Sequence, residues 1–366
     1  MELRNKLKKN PFEIDFEEYI RHTDASKKDK TLAWSTAIGL QQVDGLKPSS
    51  YLYETAKKNI EGELSFDEAI NLIDSYYESR TFRTDDEDER TEEADKVSSR
   101  IAQILSEPSF NFSPSYLIAI HKRLFEGIFK FAGKIRDYDI TKKEWVLNGD
   151  SVMYGAAFEL KAALDYDFDI ERNFKYSGLS NDEIVKHITF FVSRLWQIHA
   201  FGEGNTRTTA VFTIKYLRSL GYKVDNDIFA ENSWYFRNAL VRANYKNLKN
   251  GIEEKPIYLE LFFRNLILGE TNVLKNRYIH IDNDKYEKQF GEKEESSEKK
   301  FGDNQKTSEI ILELLKDNPK LSAKKLSEKI GITSRAVEKQ LSTLVEKGLL
   351  KRVGSPKGGH WEILNQ

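Results

Sequence analysis

The sequence predicts a mainly α-helical protein with two small β-hairpins. Three observations carry this expectation. Only seven prolines interrupt 366 residues. Apolar residues recur at three- and four-residue spacing through most of the chain, and strand signals gather only around residues 145–152 and 348–364. Such a length suggests two or three domains.

Thr31 to Gln42 reads as a short helix stopped by Val43-Asp44-Gly45 and Pro48. Pro48-Ser49-Ser50 opens a second helix through Ile60, which Glu61-Gly62 closes. Ser65 caps a third, with Glu68 in the capping-box position and Ala69, Ile70, Ile73 and Tyr76/Tyr77 at helical spacing. The charge cluster Thr84–Arg90 suggests a solvated loop or helix start, and a boundary falls there, giving an N-terminal helical region over 1–90. The body over 91–275 is rich in aromatics. Ser113-Pro114 starts a helix carrying Leu117, Ile120, His121 and Leu124. Trp145–Val152 predicts a hairpin, because Asn148-Gly149 suits a type I′ turn. Asn181-Asp182 caps a long helix with Ile184, Ile188, Phe191, Val192, Leu195 and Ile198 on one face, running to His199. After a glycine-rich turn, another helix runs from about Thr206 to Leu220 and ends at Gly221. A charged linker over 276–306 follows, whose stretch 282–306 has no aliphatic residue. Residues 307–366 regain periodicity: helices near 307–317, 322–330 and 333–347, then a hairpin over 348–364.

Composition narrows the function. Hydrophobic residues at 39% and aromatics at 12% supply a sizeable core, so wholesale disorder is excluded. There is no cysteine, which removes disulfides, cysteine-ligated zinc, iron–sulfur clusters and thiol nucleophiles together. The first ten residues show no apolar stretch of a secretory signal, and no run approaches the roughly 18 apolar residues of a membrane span. The expected setting is cytoplasmic, with no membrane partner. A net charge of −2 excludes a globally basic nucleic-acid binder. From 306 on, however, twelve basic residues face seven acidic ones, a local +5 that leaves the rest at −7.

Chemistry concentrates in the turn His199-Ala200-Phe201-Gly202-Glu203-Gly204-Asn205-Thr206-Arg207. A histidine ends one helix. Two glycines allow close backbone approach, and an amide and an arginine stand at the start of the next helix. A helix N-terminus with its free N–H groups binds anions, and glycines with Asn205 and Arg207 there suit phosphate oxygens. Glu203 would repel phosphate directly, but is sensible with Mg²⁺ between them. His199 is the default general base.

The pattern H-x-F-x-[D/E]-G-N-x-R, here His199, Phe201, Glu203, Gly204, Asn205 and Arg207, resembles the signature of Fic proteins, which transfer AMP from ATP to a hydroxyl side chain of a target protein. The resemblance extends over roughly 100–265. It takes in His121–Phe125 and Phe131-Ala132-Gly133-Lys134-Ile135-Arg136, and the Trp145–Val152 hairpin sits where the family carries its target-holding flap. It implies a Fic-type helical core, His199 deprotonating a Tyr, Thr or Ser hydroxyl, and Glu203 holding Mg²⁺. Gly202, Gly204, Asn205, Thr206 and Arg207 would line the nucleotide phosphates. Asn244 would lie at the base or ribose. ATP is the implied co-substrate and a protein, the chain itself included, the implied target.

Three positions depart from the family. Ala200 replaces a proline. Thr206 is neither the glycine typical of AMP transfer nor the lysine of the phosphate-transferring Doc relatives. Ala210 replaces a second arginine that contacts the terminal phosphate. These keep phosphate or other nucleotidyl transfer open as alternatives, along with a nucleotide-sensing DNA-binding regulator. Many Fic proteins are silenced by a helix bearing S/T-x-x-x-E-G/N. Val43-Asp44-Gly45 and Ile60-Glu61-Gly62 resemble its tail, although Leu40 and Lys57 stand where Ser or Thr is usual. Residues 33–62 resemble antitoxin-type helices, so Asp44 and Glu61 are candidate inhibitory residues. With Ala210 the usual lock has no arginine, and an acid reaching Arg207 instead would compete with ATP. Finally, 306–366 resembles the winged-helix domains of bacterial regulators. Its third helix and wing would offer Ser334, Arg335, Lys339, Lys351, Arg352 and Lys357 to DNA.

Overall fold

The computed structural model describes residues 25–79, 86–224 and 227–283. Beyond them it describes 311–312, 314–316, 318–319, 321–330, 337, 341–342, 344–345, 349–353 and 360–364. The chain divides into two compact units, Met1–Asp284 and Lys285–Gln366. The described residues of the first are helices joined by turns: α1 (Ala25–Gly39), α2 (Ser50–Glu61), α3 (Phe66–Glu78), α4 (Asp86–Ser106), α5 (Pro114–Phe125), α6 (Leu160–Asn173), α7 (Asn181–Ile198), α8 (Asn205–Ser219), α9 (Ile228–Ala243), α10 (Ile257–Leu268) and the short α11 (Asn276–Ile279). Among the described residues, no helix is long and apolar enough to cross a membrane.

Several starts follow from capping chemistry. Ser49 accepts from the Leu52 amide ahead of α2, Ser65 and Glu68 form the expected capping box on α3, and Ser113 caps α5 with Pro114 in its first turn. On α7 the cap is Ser180, with Glu183 completing a box, one residue before the expected start. The first helix begins at Ala25 and ends in a 3₁₀ turn, Leu40–Asp44, stopped by Gly45 in the left-handed region.

Three larger expectations are corrected. The boundary after residue 90 falls inside α4, which packs on α1, α3 and α8, so the N-terminal helices share the core of the body. Buried Asp95 of α4 ties them together: it accepts from the Ser49 amide (2.8 Å) and hydroxyl, and from the Tyr77 hydroxyl (2.7 Å). The linker does not begin at 276. Ile279 and Ile281 are buried, and the Ile279 carbonyl accepts from Arg242 Nε at 3.1 Å. Third, no hairpin spans 145–152. Trp145–Leu147 is a 3₁₀ turn, and Asn148 and Gly149 follow with φ of 56° and 85°. The expected left-handed pair is there, but Val146 and Leu147 are both buried, which the alternation of a strand forbids.

In the second unit α12 (Ala323–Ile330) and the antiparallel pair β1 (Leu350–Val353) and β2 (His360–Ile363) enclose a separate core. It contains Ile311, Leu315, Leu326, Val337, Leu341, Leu344 and Leu350. Leu350 lies opposite Ile363, and Arg352 opposite Trp361, whose ring it covers at 4.8 Å. Ser334, Arg335, Lys339 and Lys357 lie outside the described residues, whereas Lys351 and Arg352 are exposed on β1.

Candidate active site

The α7–α8 junction is built around His199. That residue ends α7 with φ 51° and ψ 56°, a conformation that turns the chain out of the helix. Arg136 gathers the carbonyls at this end and ties them to the loop before α6: its Nε donates to His199 O (2.8 Å), its amide to Ala200 O (2.9 Å), and its Nη2 to Gly155 O (2.5 Å). The His199 Nδ1 lies 3.2 Å from Trp196 O, an acceptor, so Nδ1 carries the proton and Nε2 the lone pair. Nε2 is buried and, among the described residues, has no partner. Burial first, then the charge of Lys142, pushes the His199 pKa well below its usual range, with Arg136 and Arg237 adding to this. His199 is therefore neutral near pH 7. The Tyr154 ring lies over it at 4.2 Å.

The loop is then fixed from both sides. Asn205 staples it by accepting from the Phe201 amide (2.9 Å) and donating to the Phe201 carbonyl (2.7 Å). His121 of α5 stacks on Phe201 at 3.7 Å, donates from Nε2 to Glu203 O (3.0 Å) and accepts at Nδ1 from the Gly133 amide (2.8 Å). Desolvation holds its pKa at about 4, as a neutral ring bonded at both nitrogens requires. Thr206 accepts from Trp196 Nε1 at 2.9 Å. Gly204 caps α8 with φ 77°, and a Cβ there would lie 2.4 Å from the Phe125 ring. At Gly202 a Cβ would lie 2.6 Å from the Tyr138 hydroxyl. The amides of Asn205, Thr206 and Arg207 form the first turn of α8, ahead of its first intrahelical bond from Thr208 N to Gly204 O.

Glu203 turns its carboxylate to Lys142, whose Nζ donates at 2.9 and 3.1 Å, and accepts from the Gly204 amide. Burial pushes the Glu203 carboxyl up, but Lys142, the Gly204 amide and Arg207 outweigh it and hold it below the usual range. Arg207, with 1% of its side chain exposed, is held on three sides. Its Nη2 donates to Glu93 of α4 (2.6 Å), its Nη1 to Gln41 (3.2 Å), and its Nε lies 2.9 Å from an Asp44 oxygen without hydrogen-bond alignment. A cleft of about 770 Å³ opens beside Glu203 and Arg207, walled by Asp44, Lys142, Trp234 and Arg237. A larger cavity of about 1020 Å³ lies at the far end of α8, near Lys215 and Phe66, and no residue of the His199–Arg207 turn lines it.

Residues 111–217 match the family model described as Fic/DOC family, and residues 305–351 match winged helix-turn-helix DNA-binding. The chain carries a Fic/DOC domain. Among its relatives, Protein adenylyltransferase VbhT of Bartonella schoenbuchensis is 28% identical over 120 residues, covering 32% of this chain and 24% of that protein. Probable protein adenylyltransferase Fic of Salmonella typhimurium is 24% identical over 119 residues, covering 32% and 56%. The chain thus spans about a quarter and about half of the length of these curated relatives. Among solved structures, the N-terminal FIC domain of Bep8 from Bartonella sp. 1-1C has 23% identity and a TM-score of 0.36, covering 47% of this chain and 81% of that one. A Fic family protein from Desulfovibrio desulfuricans G20 has 12% identity and a TM-score of 0.39, covering 96% and 94%.

The sequence-predicted residues divide. His199, Gly202, Glu203, Gly204, Asn205, Thr206 and Arg207 come together at one turn, but the Asn205 and Thr206 side chains are spent on fixing the loop. Asn244 turns inward: its amide donates to the carbonyls of Ser193 (3.1 Å) and Leu240 (2.9 Å), as a packing residue does. Asp44 reaches Arg207, whereas Glu61 pairs with Lys27 at 3.0 Å. Sequence reasoning missed Gln41, Glu93 and Lys142. It singled out His121, Gly133 and Arg136 only through the family resemblance of their segments.

Proposed function

We propose that the chain transfers AMP from ATP to a tyrosine, threonine or serine hydroxyl of a target protein, with modification of its own chain as one instance of the same reaction. The observation that carries this reading is Nε2 of His199, a buried lone pair without a partner beside the N-terminus of α8. The incoming hydroxyl gives its proton to Nε2. Its oxygen bonds to the α-phosphorus, the bond from that phosphorus to the bridging oxygen breaks, and pyrophosphate leaves. The first-turn amides of α8 and the Arg207 guanidinium face the charge that develops. Because the Tyr154 ring covers His199, the segment bearing it has to shift for a hydroxyl to enter.

Magnesium fits the donor set. Glu203 is ionised on the cleft wall, and an ion shared with phosphate oxygens needs only one or two protein carboxylates. Glu203 would hold it, and when bound it supplies positive charge for the phosphates of ATP.

In the same reading Asp44 and Glu93 compete with ATP, because they occupy the guanidinium that the phosphates need. For the C-terminal unit the proposal is DNA binding. Its support is the winged helix-turn-helix match together with exposed Lys351 and Arg352. Salt-sensitive retardation of genomic fragments, weakened by Arg335→Ala, is the expected outcome, and no retardation at low salt would assign the unit to protein contacts instead.

Incubation with ATP labelled separately at the α and γ positions tests the reaction. Protein labelled from α alone supports AMP transfer. Label from γ alone means phosphate transfer, and no label despite nucleotide binding means a nucleotide-sensing regulator.

A further inference from the structure

The cleft beside Glu203 is walled by Arg90, Lys142, Lys143, Arg207 and Arg237, and their commitments differ. Arg237 is bidentate on Glu144 (2.6 and 3.1 Å), a fully buried carboxylate that also accepts from Tyr154, so it is fixed in place. Arg207 is shared between two carboxylates. Arg90 donates to the Asp44 carbonyl, and Lys143 is exposed. Lys142 is different. Its side chain is only 25% exposed, and its ammonium is held by Glu203. Its own amide donates to Ser151 Oγ (3.2 Å), which anchors the backbone that carries it.

When nucleotide and its divalent ion claim Glu203, this ammonium loses its carboxylate in a poorly solvated position. Phosphate oxygens are the anions then within its reach. The cleft wall includes Lys142, Glu203 and Arg207 but not His199. The reacting phosphorus must lie at His199, so what enters the cleft is the leaving end of the triphosphate. We propose that Lys142 is a phosphate-binding residue for the β- and γ-phosphates, exchanging Glu203 for them as ATP binds. It supplies there the cation that Ala210, buried in the core, cannot. The proposal rests on the reading of the site as an ATP site.

The test is calorimetric binding of ATP, ADP and AMP, with and without Mg²⁺, to the full chain carrying Asp44→Ala, with and without Lys142→Met. Removing a charged hydrogen bond to phosphate should weaken ATP binding about 10- to 100-fold. ADP should be affected less and AMP hardly at all, the loss should be largest with Mg²⁺, which takes Glu203 from Lys142, and Lys142→Arg should recover most of it. Equal losses for ATP and AMP would overturn the assignment. So would a Lys142→Met loss that vanishes in a Glu203→Gln background, since Lys142 would then only orient Glu203. If the parent binds ATP and Lys142→Met binds it as well, the inference alone falls. If the parent binds none of the three, the ATP reading falls with it.

Discussion

Asp44→Ala isolates one of the two carboxylates that, in the proposed ATP site, compete with the nucleotide for Arg207. The Arg207 side chain is 1% exposed and that of Asp44 27%, so the pair is largely shielded from solvent. A hydrogen bond to a charged group contributes about 1.5–3 kcal/mol. Here the Nε–carboxylate contact is close but misaligned, which places it at the lower end, about 1.5 kcal/mol. That corresponds to about a 10-fold gain in ATP affinity. The gain is limited because Glu93 still holds Nη2 at 2.6 Å. Adding Glu93→Gln should raise affinity again, although the two effects share one guanidinium and need not add. Glu61→Ala is the control: its pair with Lys27 is 31–34% exposed, outside the cleft lining, and worth about 0–1 kcal/mol of stability, so ATP binding should change less than about 2-fold.

The assay pairs calorimetric titration with a non-hydrolysable ATP analogue and self-modification by α-labelled ATP across a range of concentrations. A competitive block predicts tighter binding and faster labelling at low ATP, with the rate advantage shrinking at saturation. A large rate gain at saturating ATP with unchanged affinity would refute the competition. It would mean that Asp44 misplaces bound nucleotide rather than excluding it.

Other outcomes follow from the same geometry. His199→Ala should cut transfer by roughly 10²–10⁴ while nucleotide affinity stays within a few-fold, because Nε2 faces the hydroxyl and not the cleft; equal loss of binding in calorimetry would deny it the role of base. His199 stays neutral in the folded protein until far below pH 6.5, so kcat should be flat as pH falls from 8 to 6.5, and an acid limb centred near 6.5 would contradict its burial. The same depression makes the unfolded chain bind more protons below pH 6.5, so His199 contributes stability above that pH that is lost as pH falls. Gly204→Ala should cost about 2–5 kcal/mol in denaturant unfolding, combining a left-handed φ with a ring collision. Glu203→Ala should weaken nucleotide binding more with Mg²⁺ than without it, and an equal defect in both buffers would remove Glu203 as a metal-holding residue.

What the sequence revealed of the site, and what it hid, divides by distance along the chain. The turn from His199 to Arg207 is contiguous, and its residue types state their chemistry locally: a base, two glycines, an acid and an arginine at a helix start. Asp44 was within reach because an acid before a helix-ending glycine resembles a known inhibitory ending, and only the fold could show that it meets Arg207 where Glu61 does not. The hairpin expectation failed for an identifiable reason. Asn148-Gly149 does take two left-handed residues, but the Glu144 amide bonds only across the turn to Asp150 O, and Glu144 is held inside by Arg237. With Val146 and Leu147 both packed inward, the segment closes as a tight loop and not a ladder.

Glu93 was the harder case. It stands in Asp86-Glu87-Asp88-Glu89-Arg90-Thr91-Glu92-Glu93, a run whose composition reads as a solvated face. No local pattern separates Glu93 from the other acids there. Its neighbour Glu92 is just as shielded but pairs locally, one turn on, with Lys96. What singles out Glu93 is a partner 114 positions away: a fully buried guanidinium that must be paired because an isolated buried charge is too costly. That requirement belongs to Arg207, and it is met from α4 only because the N-terminal helices and the Fic/DOC domain share one core. The same shared core is why a change in the N-terminal region can reach the Arg207 wall of the cleft at all.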